Sequence, residues 1–137
     1  MKLALEGTCL CGAVKLGTAR VPLQVTQCNC SVCRRYGTLW AYFHPPAVSI
    51  VAPRGALVEF TRHKGGLRFV HCKSCGCVIC WKRPINRTDL HMGINARLLD
   101  HEKMARVPIK VLDGDKTWRT LGIYKKPGIW ISPKRTT

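Results

Sequence analysis

The stretch "QCNCSVCRRYG", residues 27–37, contains three cysteines at C-x-C-x-x-C spacing, followed directly by two arginines. The 137-residue chain has nine cysteines in all, an odd number that cannot pair completely as disulfides. Hydrophobic residues make up 46% of the chain, enough for a globular core, so the fold does not need disulfides to hold it. The clustered thiols therefore need a chemical explanation.

The cysteines form four groups, and each group has a spacing typical of metal ligands. In C-x-x-C both sulfurs can reach one ion at about 2.3 Å, and in a strand C-x-C places both side chains on one face. A single pair would be weak evidence, since inert core thiols and redox pairs share this spacing. Several groups together favour zinc over inert thiols, redox thiols or an iron–sulfur cluster. The groups are Cys9 and Cys11; Cys28, Cys30 and Cys33; Cys72 and Cys75; and Cys77 and Cys80.

Nine thiols allow two arrangements of interest: two closed four-cysteine sites with one thiol left over, or one closed site and one three-cysteine site. A closed tetrahedral site is structural, whereas three protein ligands are typical of catalytic zinc. The triplet at 28, 30 and 33 is the natural three-ligand candidate because it is contained in six residues. The pairs at 9/11 and 72/75 would then join the N-terminal strand to the middle of the chain.

The opening "MKLALEG" is too short in its apolar run to be a signal peptide, and no segment is long enough to span a bilayer. We therefore expect a reducing, cytoplasmic environment, where clustered cysteines more often bind metal than form disulfides. The net charge is +16, and no acid occurs between Arg62 and Arg87. This excess is either a solvated surface or an anion-binding site.

Glycine, proline and asparagine divide the chain into short segments rich in β-branched and aromatic residues, with no long helical periodicity. The sequence predicts one mainly β domain over 1–137, with a basic C-terminal tail at about 124–137. Short helical turns are expected after Cys30 and over 97–104. The predicted strands are 13–18, 23–27, 39–43, 48–51, 57–61, 67–71, 77–81, 90–94 and 108–112.

Three motifs, in this order and spacing, resemble the glutathione-dependent formaldehyde-activating enzyme family, whose domain also occurs in centromere protein V. They are G-x-C-x-C-G-x-V (7–14), C-x-C-S-x-C-R-x-x-G (28–37) and R-F-x-x-C-x-x-C-G (68–76). The resemblance covers about residues 7–118, including "GINARLLD" and "VPIKVLDGDKTW". It implies a β-tent fold of small antiparallel sheets around zinc.

The resemblance also implies two zinc ions and a carbon–sulfur lyase-type activity, such as forming or cleaving S-hydroxymethylglutathione from glutathione and formaldehyde. Arg34 is expected to offset the negative charge of the site, and Arg35 either shares this role or points to solvent. None of the five histidines is singled out as an acid or base. Structural zinc would be held by Cys9, Cys11, Cys72 and Cys75, and catalytic zinc by Cys28, Cys30 and Cys33.

Two points lie outside the family pattern. Cys77 and Cys80 depart from it, and we expect them to be buried core thiols in a strand, with spare metal ligands as the alternative. The high positive charge also supports a different hypothesis, a non-catalytic zinc domain that binds nucleic acid or another anionic partner. Against that hypothesis, aromatic residues are sparse among the bases and no recognition helix is predicted.

Overall fold

The computed structural model describes residues 1–87 and 90–125, in which short strands form two sheets. The helices there are short: α1, Cys33–Tyr36, and α2, His101–Met104, with 3₁₀ turns at Pro45–Ala47, Ile85–Arg87 and Ala96–Leu98. The strands are β1 Leu5–Thr8, β2 Lys15–Thr18, β3 Val25–Cys28, β4 Trp40–Phe43, β5 Val48–Val51, β6 Leu57–Thr61, β7 Arg68–Cys72, β8 Val78–Lys82, β9 Met92–Asn95, β10 Ile109–Leu112 and β11 Thr120–Tyr124.

The smaller sheet has the strand order β1-β2-β5, and the larger one has the order β11-β10-β3-β4-β9-β8-β7-β6. Most neighbours are antiparallel, but β10 pairs with β3 in parallel. The larger sheet is thus longer than the small antiparallel sheets expected from the sequence, and it contains one parallel pair. The mainly β fold class is confirmed.

The centre of the larger sheet is the most buried part of the fold. All four residues of β9 are buried, and β4 and β8 supply Trp40, Phe43 and Ile79 to the interior. Aromatic and β-branched side chains suit such pleated, buried surfaces. A main core lies between the two sheets, and a second cluster of buried residues contains Trp40, Phe69 and Trp81 together with two cysteines of the triplet.

Each of the nine predicted strands overlaps an observed strand, whereas β1 and β11 were missed. The C-x-C segments do not lie within strands: Cys9 and Cys11 lie in the turn after β1, and Cys30 follows the end of β3. Tight turns, rather than strand alternation, bring these sulfurs together. Most of the predicted basic tail, residues 126–137, lies outside the described residues. Within 1–87 and 90–125 no helix is long and apolar enough to cross a bilayer.

A glycine in β9 makes room for one wall of the candidate site. Gly93 pairs with Trp81 of β8, and a Cβ added at Gly93 would collide with the indole ring. Trp81 therefore lies across the β9 backbone, where only glycine leaves enough space. This contact fixes the position of a side chain that is only 6% exposed.

Gly93→Ala is expected to lower the free energy of unfolding by about 1–3 kcal/mol, because the added methyl overpacks the sheet and displaces Trp81. Urea denaturation of the metal-loaded protein provides the measurement. Gly122→Ala is the matched control, since a Cβ at this β11 glycine meets no atom within 4 Å. Equal stabilities for the two variants would contradict the role given to Gly93.

Candidate metal centres and active-site cavity

Two turns from different sheets bring four thiols together. Cys9 and Cys11 follow β1, Cys72 ends β7, and Cys75 lies in the turn before β8. Their sulfurs lie within 4.8 Å of one another. Cys11 Sγ is 3.6 Å from Cys9 Sγ and 3.7 Å from Cys72 Sγ. A tetrahedral ion with bonds of about 2.3 Å separates its sulfurs by about 3.8 Å, so this quartet fits one metal ion.

The backbone of the quartet supports negatively charged sulfur. Gly76, with φ of 76°, closes the Cys72–Cys75 turn and donates its N–H to the carbonyl of Cys72 at 2.9 Å. The N–H of Val14 donates to Cys9 Sγ at 3.3 Å. The pKa of Cys75 is lowered to about 6, mainly because its sulfur accepts a hydrogen bond from the backbone N–H of Cys77. Thiolate is the form that binds metal, so these donors favour metal binding.

The two cysteines outside the family pattern have different environments. Cys80 is completely buried in β8, and burial raises its pKa to about 12. The prediction of a core thiol is confirmed for Cys80. Cys77 instead precedes β8, is half-buried, and accepts a hydrogen bond from the N–H of Leu10 at 3.5 Å. It lies beside the quartet without being one of its four grouped thiols.

The triplet is built from the end of one strand and the start of one helix. Cys28 ends β3, Cys30 lies in the following bend, and Cys33 begins α1. Their sulfurs lie within 4.8 Å of one another, and among the described residues no histidine, carboxylate or fourth cysteine completes this group. Three sulfurs at this spacing fit a metal ion with a three-residue ligand set.

Three N–H groups point at the sulfurs of the triplet. The N–H of Cys30 donates to Cys28 Sγ at 3.4 Å, and the N–H of Cys33 donates to Cys30 Sγ at 3.3 Å. The indole Nε1–H of Trp40 donates to Cys33 Sγ at 3.2 Å. Such donors stabilise thiolates in a buried site.

The three thiols differ in acidity. Burial raises the pKa of Cys28 and, more strongly, that of Cys33. Burial also acts to raise the pKa of Cys30, but the N–H of Cys33 and the neighbouring thiols outweigh it, so the pKa of Cys30 is lowered. Burial therefore disfavours the ionised form at Cys28 and Cys33, and a nearby positive charge would favour it.

A loop between β10 and β11 packs against the triplet. A Cβ added at Gly114 would collide with Cys28 Sγ, so the glycine lets the backbone approach the sulfur. Asp113 anchors this loop: its carboxylate accepts from Asn29 Nδ2 at 3.0 Å and from the hydroxyl and N–H of Thr117 at 2.9 and 3.2 Å. These hydrogen bonds, led by that from Asn29, lower the pKa of Asp113.

An open cavity of about 380 Å³ lies above the triplet, within the range of roughly 300–1,000 Å³ usual for small-molecule sites. Five of the described residues that line it are aromatic, and none is acidic. The aromatic members are Trp40, Tyr42, Phe69, Trp81 and Trp118, and the basic members are Arg62, Arg83, His63 and His91.

The arginines next to the triplet in sequence are not the ones that line the cavity. Arg34 and Arg35 are exposed on α1, and Arg35 donates to the carbonyl of Ser31 at 2.8 Å. The cavity instead takes Arg62 and Arg83 from distant segments. Both belong to the acid-free stretch between Arg62 and Arg87, which the sequence left as either a solvated surface or an anion site. The stretch did not identify the aromatic walls or the two histidines.

The comparisons with known proteins agree with this architecture. The family model described as "Glutathione-dependent formaldehyde-activating enzyme" matches residues 4–112. A crystal structure of a Rhodobacter sphaeroides protein superposes with a TM-score of 0.61 at 24% identity, covering 76% of this chain and 98% of the other, which shows a shared fold. No curated protein matches the chain.

Asp113→Ala is expected to release the loop from the triplet, since it removes the acceptor for Asn29 and Thr117. In the unmodified protein the folded pKa of Asp113 lies below the unfolded value of about 3.9, so the loop is stabilised above that pH and loosens as pH falls through the lowered pKa. Amide exchange at Thr117, followed against pH by NMR, should show both effects.

Asp115→Ala is the control, because Asp115 lies in the same loop and joins the network through its backbone N–H, which donates to Asn29 Oδ1 at 3.0 Å. Protection at Thr117 should survive in that variant. Identical exchange in both variants would show that the Asp113 carboxylate does not anchor the loop.

Proposed function

The chain belongs to the glutathione-dependent formaldehyde-activating enzyme family, and from this premise we propose that it forms or cleaves a carbon–sulfur bond between a thiol and an aldehyde carbon. The observation that carries the proposal is the position of the triplet. Its three thiols line an open cavity, and no fourth ligand joins them among the described residues. A substrate sulfur can approach the triplet from this cavity.

The reaction balances without any redox partner. In the forward direction the substrate sulfur attacks the aldehyde carbon, a sulfur–carbon bond forms, and the carbon–oxygen π bond breaks. The proton lost from the thiol ends on the oxygen, which gives a hydroxymethyl thioether when the aldehyde is formaldehyde. The reverse reaction, in which the carbon–sulfur bond breaks, is the lyase direction. Glutathione and formaldehyde are the pair that the family name implies.

Zinc is the metal we propose for both groups, because thiolate-only ligand sets suit zinc and the quartet spacing fits its tetrahedral geometry. Cys9, Cys11, Cys72 and Cys75 would hold a structural ion, and Cys28, Cys30 and Cys33 a catalytic one. When bound at the triplet, zinc would keep a substrate thiol ionised near neutral pH, where a free thiol with a pKa of about 8.5 is mostly protonated.

Residues of the chain supply the charge balance at the triplet. Three cysteine thiolates and a substrate thiolate are a large concentration of negative charge for a half-buried site. The donors from Trp40 and the backbone offset part of it. Arg62 and Arg83 line the cavity and can attract an anionic substrate. The predicted catalytic role of Arg34, which is exposed on α1, stays a prediction.

Tyr42 is the proton donor that we propose for the aldehyde oxygen. It lines the cavity, and burial raises the pKa of its hydroxyl, with further increases from the charges of the triplet cysteines. The hydroxyl therefore stays protonated through the physiological range. A protonated phenol can donate a hydrogen bond to the oxygen as negative charge develops there.

Nucleic-acid binding is the second function that the sequence predicts, and it rests on charge alone. An electrophoretic mobility shift at two salt concentrations tests it, since binding through phosphates weakens steeply with salt. The geometry of the described residues favours the enzyme because the cavity and the triplet coincide. The cytoplasmic location likewise stays a prediction.

The division of roles between the two groups predicts different outcomes for two variants. Cys30→Ser should reduce zinc from two ions per chain to one and lower the rate of adduct formation to that of the uncatalysed reaction, while the fold survives. Cys72→Ser should prevent stable folding, since structural zinc contributes on the order of 10 kcal/mol. Elemental analysis and thermal unfolding under reducing conditions measure both effects.

Cys77→Ser is the control for these variants, because Cys77 lies beside the quartet but outside its four grouped thiols. It should retain both ions and the fold. If Cys30→Ser and Cys72→Ser behaved alike, the assignment of one structural and one catalytic site would be wrong.

Tyr42→Phe is expected to lower kcat for adduct formation by about 10²-fold with the zinc content unchanged, because it removes only the hydroxyl. Formaldehyde consumption in the presence of a thiol, corrected for the uncatalysed reaction, gives the rate. Tyr36→Phe serves as control: its ring contacts Phe69, with centroids 5.6 Å apart, but Tyr36 does not line the cavity. An unchanged kcat in Tyr42→Phe would remove this tyrosine from the mechanism.

A further inference from the structure

We propose that the thiol accepted at this site carries a flat apolar body, such as an aromatic ring, together with an anionic group, and that such thiols are preferred to glutathione. The inference rests on the proposed function and specifies its substrate class. It follows from the walls of the cavity, from the placement of Trp118 and from the charges of the lining residues.

The walls nearest the triplet are rigid aromatic surfaces. Trp40, Phe69 and Trp81 are all nearly buried and belong to one cluster with Cys28 and Cys33. Trp40 and Phe69 have ring centroids 6.4 Å apart, so they pack against each other. A flat ring attached close to the substrate sulfur can lie against such walls, as aromatic pairs do at centroid separations of about 4.5–7 Å.

Trp118 stands at the mouth of the same cavity. Its side chain is 68% exposed, and its φ of 59° is a left-handed conformation that is uncommon for a bulky residue. The backbone is nevertheless held in place, since the N–H of Trp118 donates to the carbonyl of Asp113 at 2.7 Å. A large exposed ring at a cavity mouth, whose backbone is kept in an unfavourable conformation by a hydrogen bond, indicates a ligand-contacting role.

The cations of the cavity are arranged to receive an anion. The guanidinium of Arg83 lies 5.4 Å from the centroid of the Trp81 ring. Two contacts with His91 orient this guanidinium. Arg83 Nη2 lies 3.3 Å from His91 Nε2, and Arg83 Nε donates to the backbone carbonyl of His91 at 3.4 Å. Because arginine only donates, His91 Nε2 accepts this bond. Burial, followed by the charge of Arg83, lowers the pKa of His91, which keeps the ring neutral and able to accept.

The absence of acids among the described lining residues disfavours glutathione. Glutathione carries one ammonium group besides its two carboxylates. Arg62 and Arg83 can pair with carboxylates, but none of the described lining residues supplies a carboxylate for the ammonium. The two arginines complement a carboxylate on a molecule that has no cation. The aromatic walls and the two arginines, with no acid beside them among the described lining residues, therefore select together for an apolar, anionic thiol.

A matched set of thiols tests the substrate class. 4-(Mercaptomethyl)benzoate has both features, its primary amide lacks the charge, 6-mercaptohexanoate lacks the ring, and glutathione is the zwitterionic reference. The benzoate should give the highest kcat/KM with formaldehyde, about tenfold above the amide and above the hexanoate. A kcat/KM for glutathione equal to or above that of the benzoate would overturn the proposal.

A second measurement does not depend on catalysis. Binding of 4-methylbenzoate, which has no sulfur, can be followed by NMR through the indole N–H resonances of the metal-loaded protein. Trp118→Ala should weaken this binding about 3–10-fold, and Trp118→Phe should restore most of it. Arg83→Gln should weaken binding of 4-methylbenzoate but not of 4-methylbenzamide.

Two variants are matched controls. Tyr124→Ala removes an aromatic ring of similar exposure, 58%, from outside the cavity. Arg20→Gln removes a guanidinium that lies 5.0 Å from the centroid of the Phe43 ring and does not line the cavity. Both should bind 4-methylbenzoate like the unmodified protein.

The outcomes separate this inference from the proposed function. If 4-methylbenzoate binds through Trp118 and Arg83 but no thiol reacts with formaldehyde, the substrate-class inference stands and the proposed reaction fails. If glutathione reacts efficiently and 4-methylbenzoate does not bind, the reaction stands and the inference fails. Loss of binding in the two control variants to the same degree as in Trp118→Ala and Arg83→Gln would also overturn it.

Discussion

The meeting of four thiols from two distant turns is the constraint on which the rest of the structure depends. Cys9 and Cys11 belong to the β1–β2 turn of the smaller sheet, and Cys72 and Cys75 to the β7–β8 turn of the larger one. The quartet thus ties the two sheets at one point, beside the main core that fills the space between them. Four thiols within 4.8 Å would repel one another once ionised, so a metal ion is the natural counter-charge.

The surroundings of the triplet depend indirectly on the link that the quartet makes between the two sheets. Its three cysteines come from one short segment and could approach one another without the rest of the fold. What the fold adds is the surroundings: the indole N–H of Trp40, the close backbone at Gly114, and the walls from β7 and β8. Because β7 and β8 flank the quartet turn, the same tie that joins the sheets also fixes Phe69 and Trp81 beside the triplet.

The sequence was informative where proximity in space follows from proximity along the chain. The spacing of the cysteines predicted the triplet and the separate pairs of the quartet, since C-x-x-C and C-x-C turns are local. The joining of Cys9 and Cys11 to Cys72 and Cys75 is long-range, and the expectation for it came from the family resemblance. The β-branched and aromatic segments predicted nine strands but not β1, "LEGT", which has little hydrophobic alternation, or β11, whose five residues are all exposed. A strand without a buried face lacks the periodicity on which such predictions depend.

The walls of the cavity could not be predicted because they depend on long-range pairing. Tyr42 comes from β4, Trp81 from β8 and Trp118 from the loop before β11, and only the sheet order brings them to one cavity. The arginines show that closeness in sequence to the triplet does not place a side chain in the cavity. Arg34 lies next to Cys33 in sequence, yet it is exposed on α1, whereas Arg83 reaches the cavity from the end of β8.

The structure also divides the basic stretch between Arg62 and Arg87 into groups with different roles. Arg68 is paired with Glu59 across β6 and β7 at 3.1 Å, while Arg62 and Arg83 line the cavity. A binding surface for a polyanion would gain from leaving all of these cations exposed on one face. Here the guanidinium of Arg68 is paired with an acid of the neighbouring strand, and that of Arg83 is hydrogen-bonded to His91 at the wall of the cavity. That distribution of charge fits a small anion held beside the triplet better than an extended one.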